Sequence, residues 1–310
     1  MESVAFDPRR LPADARMTMQ RTADGWPLRV FDHRTPAPSS RGSILFLSGR
    51  ADFIEKYLEP LADWRRAGFN VRSFDWRGQG LSGRLGRDAF AGHVESFDPW
   101  VDDLKSIAAT WIAETPGPHY LIGQSMGGHL ALRMLADGAP GIARAVLTSP
   151  MIGINLFPLP ARLARWRTAR QVAAGRAFDY ADAQGPTLPP DSTRSPRLTS
   201  DTARYAVEGW WRQAEPGLAM GGVTWGWLAA AFASIDRLMT PGVLEKIEQP
   251  VLLLSSGRDR LIDVAAVQEA ARCLPNARLQ LFPNAGHELI RESDPIRDRV
   301  LAAIQAFLVP

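Results

Sequence analysis

The chain has 310 residues, 45% of them apolar and 22% charged, which excludes disorder as its main state and leaves room for two domains or one large α/β domain carrying an insertion. With 36 basic and 33 acidic side chains the formal charge is only +3, so the polybasic surface that nucleic acid requires is excluded and no nucleic-acid partner is expected. Cys273 is the single cysteine, which excludes intrachain disulfides and cysteine zinc sites and fits a reducing, cytoplasmic compartment. The first nineteen residues carry acids and prolines and lack the apolar run of a signal peptide.

In chain order, Ala23-Asp24-Gly25 is a hairpin signal followed by the alternating Leu28-Arg29-Val30-Phe31, so the chain is expected to open with an antiparallel pair. Ser43 to Leu47 is an apolar run too short for a helix, and Ile54, Leu58, Leu61 and Trp64 then follow at helical spacing. The alternation repeats: strand Phe69 to Phe74, a helix through Val101, Leu104, Ala108 and Trp111 with Asp98 as its N-cap, strand His119 to Ile122, helix Ser125 to Asp137, and strand Ala143 to Ser149. Strands separated by helices predict a mostly parallel sheet with helices on both faces. After Pro150 the rhythm breaks for about 90 residues, a stretch with a Pro/Ser/Thr-rich loop from Gln184 to Ser200, before strand Val251 to Leu254, helix Val264 to Cys273, strand Arg278 to Phe282 and a last helix capped by Asp294-Pro295. The expected organisation is a core over residues 1–150 and 241–310 with an inserted helical cap over 151–240. Val223 to Ile235, nearly uncharged, falls short of the ~20 residues that cross a bilayer and reads as a buried or interfacial helix.

Gly123-Gln124-Ser125-Met126-Gly127 stands directly between a predicted strand and a predicted helix. Glycines two residues either side of a serine permit a tight strand-to-helix turn that presents the serine as a nucleophile. Serine at its free pKa is a weak nucleophile and needs a histidine oriented by a carboxylate. Of the five histidines, His33 and His119 sit at strand ends and His129 on a packed helix face, while His93, in a Gly-rich loop, remains open. His287 follows the last predicted strand, at the sheet edge where Ser125 must also project, and is the preferred base. For the acid, Asp259 falls on the loop past the penultimate strand, whereas Asp263 is better placed to cap the helix from Val264. A tetrahedral intermediate needs fixed backbone N–H donors, expected from Met126 and from Arg50 in the loop after the Ile44 to Leu47 strand.

These segments together resemble the α/β-hydrolase superfamily, and within it the monoacylglycerol lipase and bacterial lysophospholipase group. The resemblance lies in Ser48-Gly49-Arg50 through Tyr57, in Phe74-Asp75-Trp76-Arg77-Gly78-Gln79-Gly80-Leu81-Ser82-Gly83, in Gly123 to Gly128, and in Asp259 with His287. It covers residues 25–150 and 240–310 well and the intervening stretch only through Leu198 to Asp201 and Thr224 to Leu228. Ser48 and Trp76 depart from the pattern, each standing where the group commonly has histidine, so the oxyanion loop must be rigidified differently here. The resemblance implies the α/β-hydrolase fold, no metal or organic cofactor, and cleavage of a small-molecule acyl ester or lipid substrate. The residues leave open an amide, thioester or lactone substrate on the same triad, and a non-catalytic ligand-binding relative, against which the complete triad counts.

From Met151 to Phe178 the chain carries Arg162, Arg165, Arg167, Arg170 and Arg176 and no acid before Asp179, with Leu159, Leu163 and Trp166 at helical spacing. Such a basic amphipathic helix either rests on an anionic membrane surface or is a solvated helix whose apolar side covers the active site. The five tryptophans of the 151–240 stretch read as packing or as the wall of an acyl pocket.

Overall fold

Short apolar runs alternating with amphipathic helices build one sheet in this protein, seen in a computed structural model that describes residues 6–37, 40–156, 158–181, 185 and 191–309, with only the backbone of 191–193. The strands are β1 (Arg16–Arg21), β2 (Pro27–His33), β3 (Ser43–Leu47), β4 (Asn70–Phe74), β5 (His119–Gln124), β6 (Ile142–Thr148), β7 (Val251–Ser256) and β8 (Ala277–Phe282), in spatial order β1-β2-β4-β3-β5-β6-β7-β8. The expected antiparallel opening is present, since β1 pairs with β2 and β2 with β4 antiparallel. All later pairings are parallel.

The helices are α1 (Leu58–Arg66), α2 (Asp98–Glu114), α3 (Met126–Ala136), α4 (Ala161–Ala173), α5 (Asp191–Leu198), α6 (Thr202–Ala214), α7 (Trp225–Leu238), α8 (Val264–Cys273) and α9 (Asp294–Leu308). Alternate residues of the buried strands feed two cores. Leu45, Leu47 and Leu121 pack with Leu104 and Trp111 of α2, Leu130 of α3 and Val267 of α8. Ile44, Phe46 and Ile122 pack with Leu61 and Trp64 of α1 and with Val300 and Ile304 of α9. A one-residue slip would exchange the two sets, which is why a strand buried on both faces still holds a definite register.

Several local expectations are corrected. Asp98 does not cap α2: the N-cap is Phe97, and the Asp98 carboxylate pairs instead with Arg133 at 2.6 Å and Arg237 at 3.1 Å. Ser293 occupies the N-cap of α9, ahead of Asp294. The first helical segment is divided into a 3-10 turn, Ile54–Tyr57, and α1. Within the expected loop from Gln184 to Ser200, residues 191–198 form α5 with Pro196 inside it, whereas 184 and 186–190 lie outside the described residues.

Helices α4 to α7 all lie between β6 and β7, where the strand rhythm breaks. The nearly uncharged Val223 to Ile235 stretch falls mostly in α7, which buries Trp227, Leu228, Ala231 and Phe232 in the larger core. No helix among the described residues is long and apolar enough to cross a membrane.

Candidate active site

The sheet's parallel strands carry all the predicted groups to one edge. Ser125 follows β5, Arg50 lies just past β3, Asp259 past β7, and His287 in the loop after β8. Ser125 has φ 52° and ψ −114°, a backbone region that non-glycine residues seldom occupy, and it leads directly into α3. Its amide donates to Thr148 O (2.9 Å) and its carbonyl accepts from His129 N (3.1 Å) and Met151 N (3.0 Å), so the strained turn is held from three sides. The flanking glycines are steric requirements. A Cβ on Gly127 would lie 2.3 Å from Leu47 O, and one on Gly123 would lie 2.7 Å from Gly128 N.

Asp259 Oδ2 and His287 Nδ1 are 2.7 Å apart, which leaves Nε2 as the imidazole nitrogen available to a ligand in the pocket. The other Asp259 oxygen accepts from the amides of Leu261 (2.8 Å) and Ile262 (3.1 Å). Burial opposes ionisation of Asp259, but the adjacent His287 and these amides outweigh it and hold the carboxyl below its ordinary value of 3.8. Burial likewise opposes the imidazolium of His287, and the charge and hydrogen bond of Asp259 outweigh it, lifting His287 above 6.5. Asp263 does what a helix cap does: its Oδ1 accepts from Ala265 N (2.9 Å) and Ala266 N (3.4 Å) at the start of α8. His287 is fixed further by backbone. Its amide donates to Arg197 O (3.1 Å), and its carbonyl accepts from Gln124 Nε2 (3.2 Å), the side chain beside Ser125. Ser125 Oγ makes no direct hydrogen bond to His287 in this arrangement, and the two share the wall of one pocket.

The loop from Ser48 to Asp52 is tied by groups that the departures from the family pattern introduce or retain. Trp76 Nε1 donates to Ser48 O (2.9 Å), giving this chain its own anchor where relatives commonly use histidine. Gly49 N donates to Asp52 Oδ2 (2.9 Å), and Ala51 N to Gln79 Oε1 (2.5 Å). The Arg50 amide therefore sits between two anchored amides, and Met126 N–H stands at the first position of α3. The Arg50 side chain reaches Gly221 O (3.1 Å) and lines the pocket.

That pocket has a volume of about 310 Å3 and a lining of two kinds. Met151, Ile154, Leu156, Val223, Trp227, Leu228, Leu261 and Ile262 form an apolar wall, while Arg50, Asp52, Lys56, Arg194, Arg197 and Glu288 are charged. Of the five tryptophans between β6 and β7, Trp227 alone lines it. Trp166 and Trp210 are exposed, Trp225 is buried, and Trp211 donates to Pro8 O.

Sequence reasoning missed the buried ion cluster to which Lys56, Asp52 and Glu288 of this lining belong. Lys56 Nζ lies 2.6 Å from Asp52, 2.5 Å from Glu288 and 3.1 Å from Glu208 of α6. Glu208 also meets Arg194 and Arg212, each at 2.6 Å, and Arg291 closes onto Glu288. Burial alone would push the Glu288 carboxyl up, but Lys56 and Arg291 bring it down to about 2. The one local signal was Asp52, four residues before Lys56. Its other partners are distant in sequence.

The remaining histidines are structural. His33 bonds Asp14, His119 bonds Thr115, His129 bonds Ser234, and His93, open on sequence, bonds Thr224 Oγ1 (2.8 Å) and stacks on Phe178 at 4.0 Å. None of the four lines the pocket.

Helix α4 buries Ala164 and Thr168 only, and Leu163 and Trp166 face solvent, so they do not cover the site. Arg165 pairs with Asp236 and Arg176 with Asp179. Arg162, Arg167 and Arg170 have no carboxylate partner among the described residues.

Comparison with known proteins gives the family of the chain. The sequence pattern of the family described as serine aminopeptidase, S33, matches residues 38–294. The chain is 30% identical over 274 residues to a probable lysophospholipase L2 of Haemophilus influenzae, covering 88% of this chain and 85% of that one. It is 31% identical over 279 residues to lysophospholipase L2 of Escherichia coli K12, covering 85% and 79%. A soluble variant of monoglyceride lipase from Saccharomyces cerevisiae, solved with a substrate analogue, superimposes with a TM-score of 0.80 over 99% of this chain and 98% of that one. At 17% identity this likeness speaks for the fold.

Proposed function

The chain belongs to the serine aminopeptidase S33 family of α/β-hydrolases, in its lysophospholipase and monoacylglycerol lipase group, and from that premise we propose that it cleaves the ester of a lysophospholipid or monoacylglycerol through an acyl-enzyme on Ser125. It is a carboxylic ester hydrolase. In the proposed mechanism Ser125 Oγ attacks the ester carbonyl while His287 Nε2 takes its proton, and Asp259 keeps the imidazole in the tautomer that can accept it. The amides of Arg50 and Met126 stabilise the oxyanion as the carbonyl becomes tetrahedral. His287 returns the proton to the departing glycerol oxygen, and water, activated by the same imidazole, then releases the fatty acid. The reading needs no metal or organic cofactor.

The observation that carries this reading is the conjunction of the strained Ser125 and of His287, paired with Asp259, at one pocket with an extensive set of apolar lining residues. Residues 151–240 act in it as the cap, supplying most of that wall for the acyl chain. A second element of the proposal concerns where the substrate is met. Exposed Leu163 and Trp166 lie among Arg162, Arg167 and Arg170, which have no carboxylate partner among the described residues although Arg167 stacks over Trp225 and Arg170 over Trp166, and this supports α4 resting on an anionic lipid surface.

Hydrolysis of p-nitrophenyl esters with C2 to C16 chains, beside lysophospholipid and monoacylglycerol, tests the reading. We expect turnover of the esters with a preference for long chains. Turnover confined to amides, thioesters or lactones, or none at all, would contradict it.

A further inference from the structure

The charged side chains that line the pocket are unequal in sign. Four cations, Arg50, Lys56, Arg194 and Arg197, face two carboxylates, Asp52 and Glu288. Both carboxylates are already committed. Asp52 accepts from Lys56 and from Tyr57 Oη (2.8 Å), and Glu288 is held by Lys56 and Arg291. Three of the cations are committed too: Lys56 to its carboxylates, Arg194 to Glu208 and Tyr205 (3.0 Å), and Arg50 to the Gly221 carbonyl.

Arg197 differs. Its backbone carbonyl accepts from His287 N, which sets the residue directly beside the proposed base. Its exposed side chain lines the same pocket as Ser125 and has no ion-pair partner among the described residues. An unpaired guanidinium at the rim of an electropositive recess is suited to a phosphate, whose oxygens accept two parallel N–H bonds from one Arg. The excess of positive charge behind it discriminates against neutral groups less strongly than it attracts anions.

We propose that Arg197, backed by the excess of cations in the pocket lining, forms a subsite for the phosphate of the substrate's headgroup, so that this enzyme favours lysophospholipids with an anionic headgroup over neutral monoacylglycerols. The inference rests on the ester-hydrolase reading and deepens it by assigning the headgroup. The acyl chain lies along the apolar wall, the ester carbonyl sits at Ser125, and the glycerol carries the phosphate back toward Arg197.

The test is the ratio of kcat/KM for lysophosphatidylglycerol to that for monoacylglycerol of the same chain. Wild type should favour the anionic lipid, and Arg197→Gln should lower the ratio about tenfold, mainly through KM, as expected for a lost hydrogen-bonded charge contact. Arg197→Lys should restore part of it. Equal losses on both substrates, or an unchanged ratio, would overturn the proposal. Binding of non-hydrolysable ether analogues to Ser125→Ala asks the same question without catalysis, and separates failure of the subsite from failure of the ester-hydrolase reading. The phosphorylated ether should bind more tightly than the neutral one, with the preference lost on adding Arg197→Gln. Inorganic phosphate should compete weakly. If millimolar phosphate alone displaced the neutral ether analogue through Arg197, the site would be one for the free anion and the headgroup assignment would fall.

Discussion

Helices α3 and α4 present opposite uses of the same secondary structure. Ten of the eleven residues of α3 are buried, and its N-terminus is aimed at the proposed oxyanion by a turn that glycine sterics and three backbone hydrogen bonds define. Only Ala164 and Thr168 of the thirteen residues of α4 are buried, and its face is arginine, leucine and tryptophan turned to solvent. The sheet and its attached helices position reacting groups through backbone and close packing. The helices between β6 and β7 meet the rest of the molecule through side-chain charge as well as apolar contact, and α5 also touches the site through backbone, where Arg197 O accepts from His287 N. Changes in the first region should therefore act on kcat at a fixed fold, and changes in the second on stability, binding and location.

The largest effect is expected from the acid. Asp259→Asn should lower kcat about 10⁴-fold by favouring the wrong imidazole tautomer, whereas Asp263→Asn should alter activity little, since asparagine caps a helix about as well as aspartate. Stopped-time kinetics on a soluble ester would check both, and a larger kinetic loss at Asp263 in folded protein would reverse the assignment. The same pair sets the pH profile. His287 must be neutral to act as base, and Asp259 raises its pKa above 6.5. So kcat/KM should rise with pH along an acid limb centred above 6.5, and in Asp259→Asn the residual activity should show that limb at lower pH.

Next in size is the ion cluster joining α6 to the core. Glu208→Gln leaves Lys56, Arg194 and Arg212 facing a neutral amide in a buried setting, and loss of one partner from such a cluster costs on the order of 3–5 kcal/mol. Urea unfolding should show this loss. A variant as stable as wild type would mean that α6 is held by its apolar contacts instead.

The smallest effect concerns α4. Reversing Arg162, Arg167 and Arg170 to glutamate removes cations worth about 1 kcal/mol each near an anionic bilayer, and it spares Arg165, which is engaged with Asp236. Sedimentation with anionic vesicles at low salt should weaken, while turnover of a short soluble ester persists. Indifference of the wild type to such vesicles would leave α4 a solvated face.

How much of this was legible in the sequence follows the same division. Strand and helix order, the tight turn at Ser125, and the meeting of Asp259 with His287 could all be read because each rests on local spacing at the end of a strand. The anchors that make the site rigid could not. Trp76 to Ser48, Gln79 to Ala51 and Gln124 to His287 each join segments distant in the chain, and no periodicity announces them. The Lys56 cluster draws on four separate stretches, 52–56, Arg194 of α5, 208–212 of α6 and 288–291, so only its Asp52 partner was within local reach. Asp98 misled because an acid ahead of a proline reads as a cap, while the folded chain spends that carboxylate on Arg133.

The central claim, that Ser125 is the nucleophile activated through His287, is tested most directly by locating a fluorophosphonate adduct by peptide mass spectrometry. The account predicts a single adduct on the peptide containing Ser125, lost in Ser125→Ala and strongly slowed in His287→Ala while both variants remain folded. Labelling elsewhere, or undiminished ester turnover in folded Ser125→Ala, would contradict it.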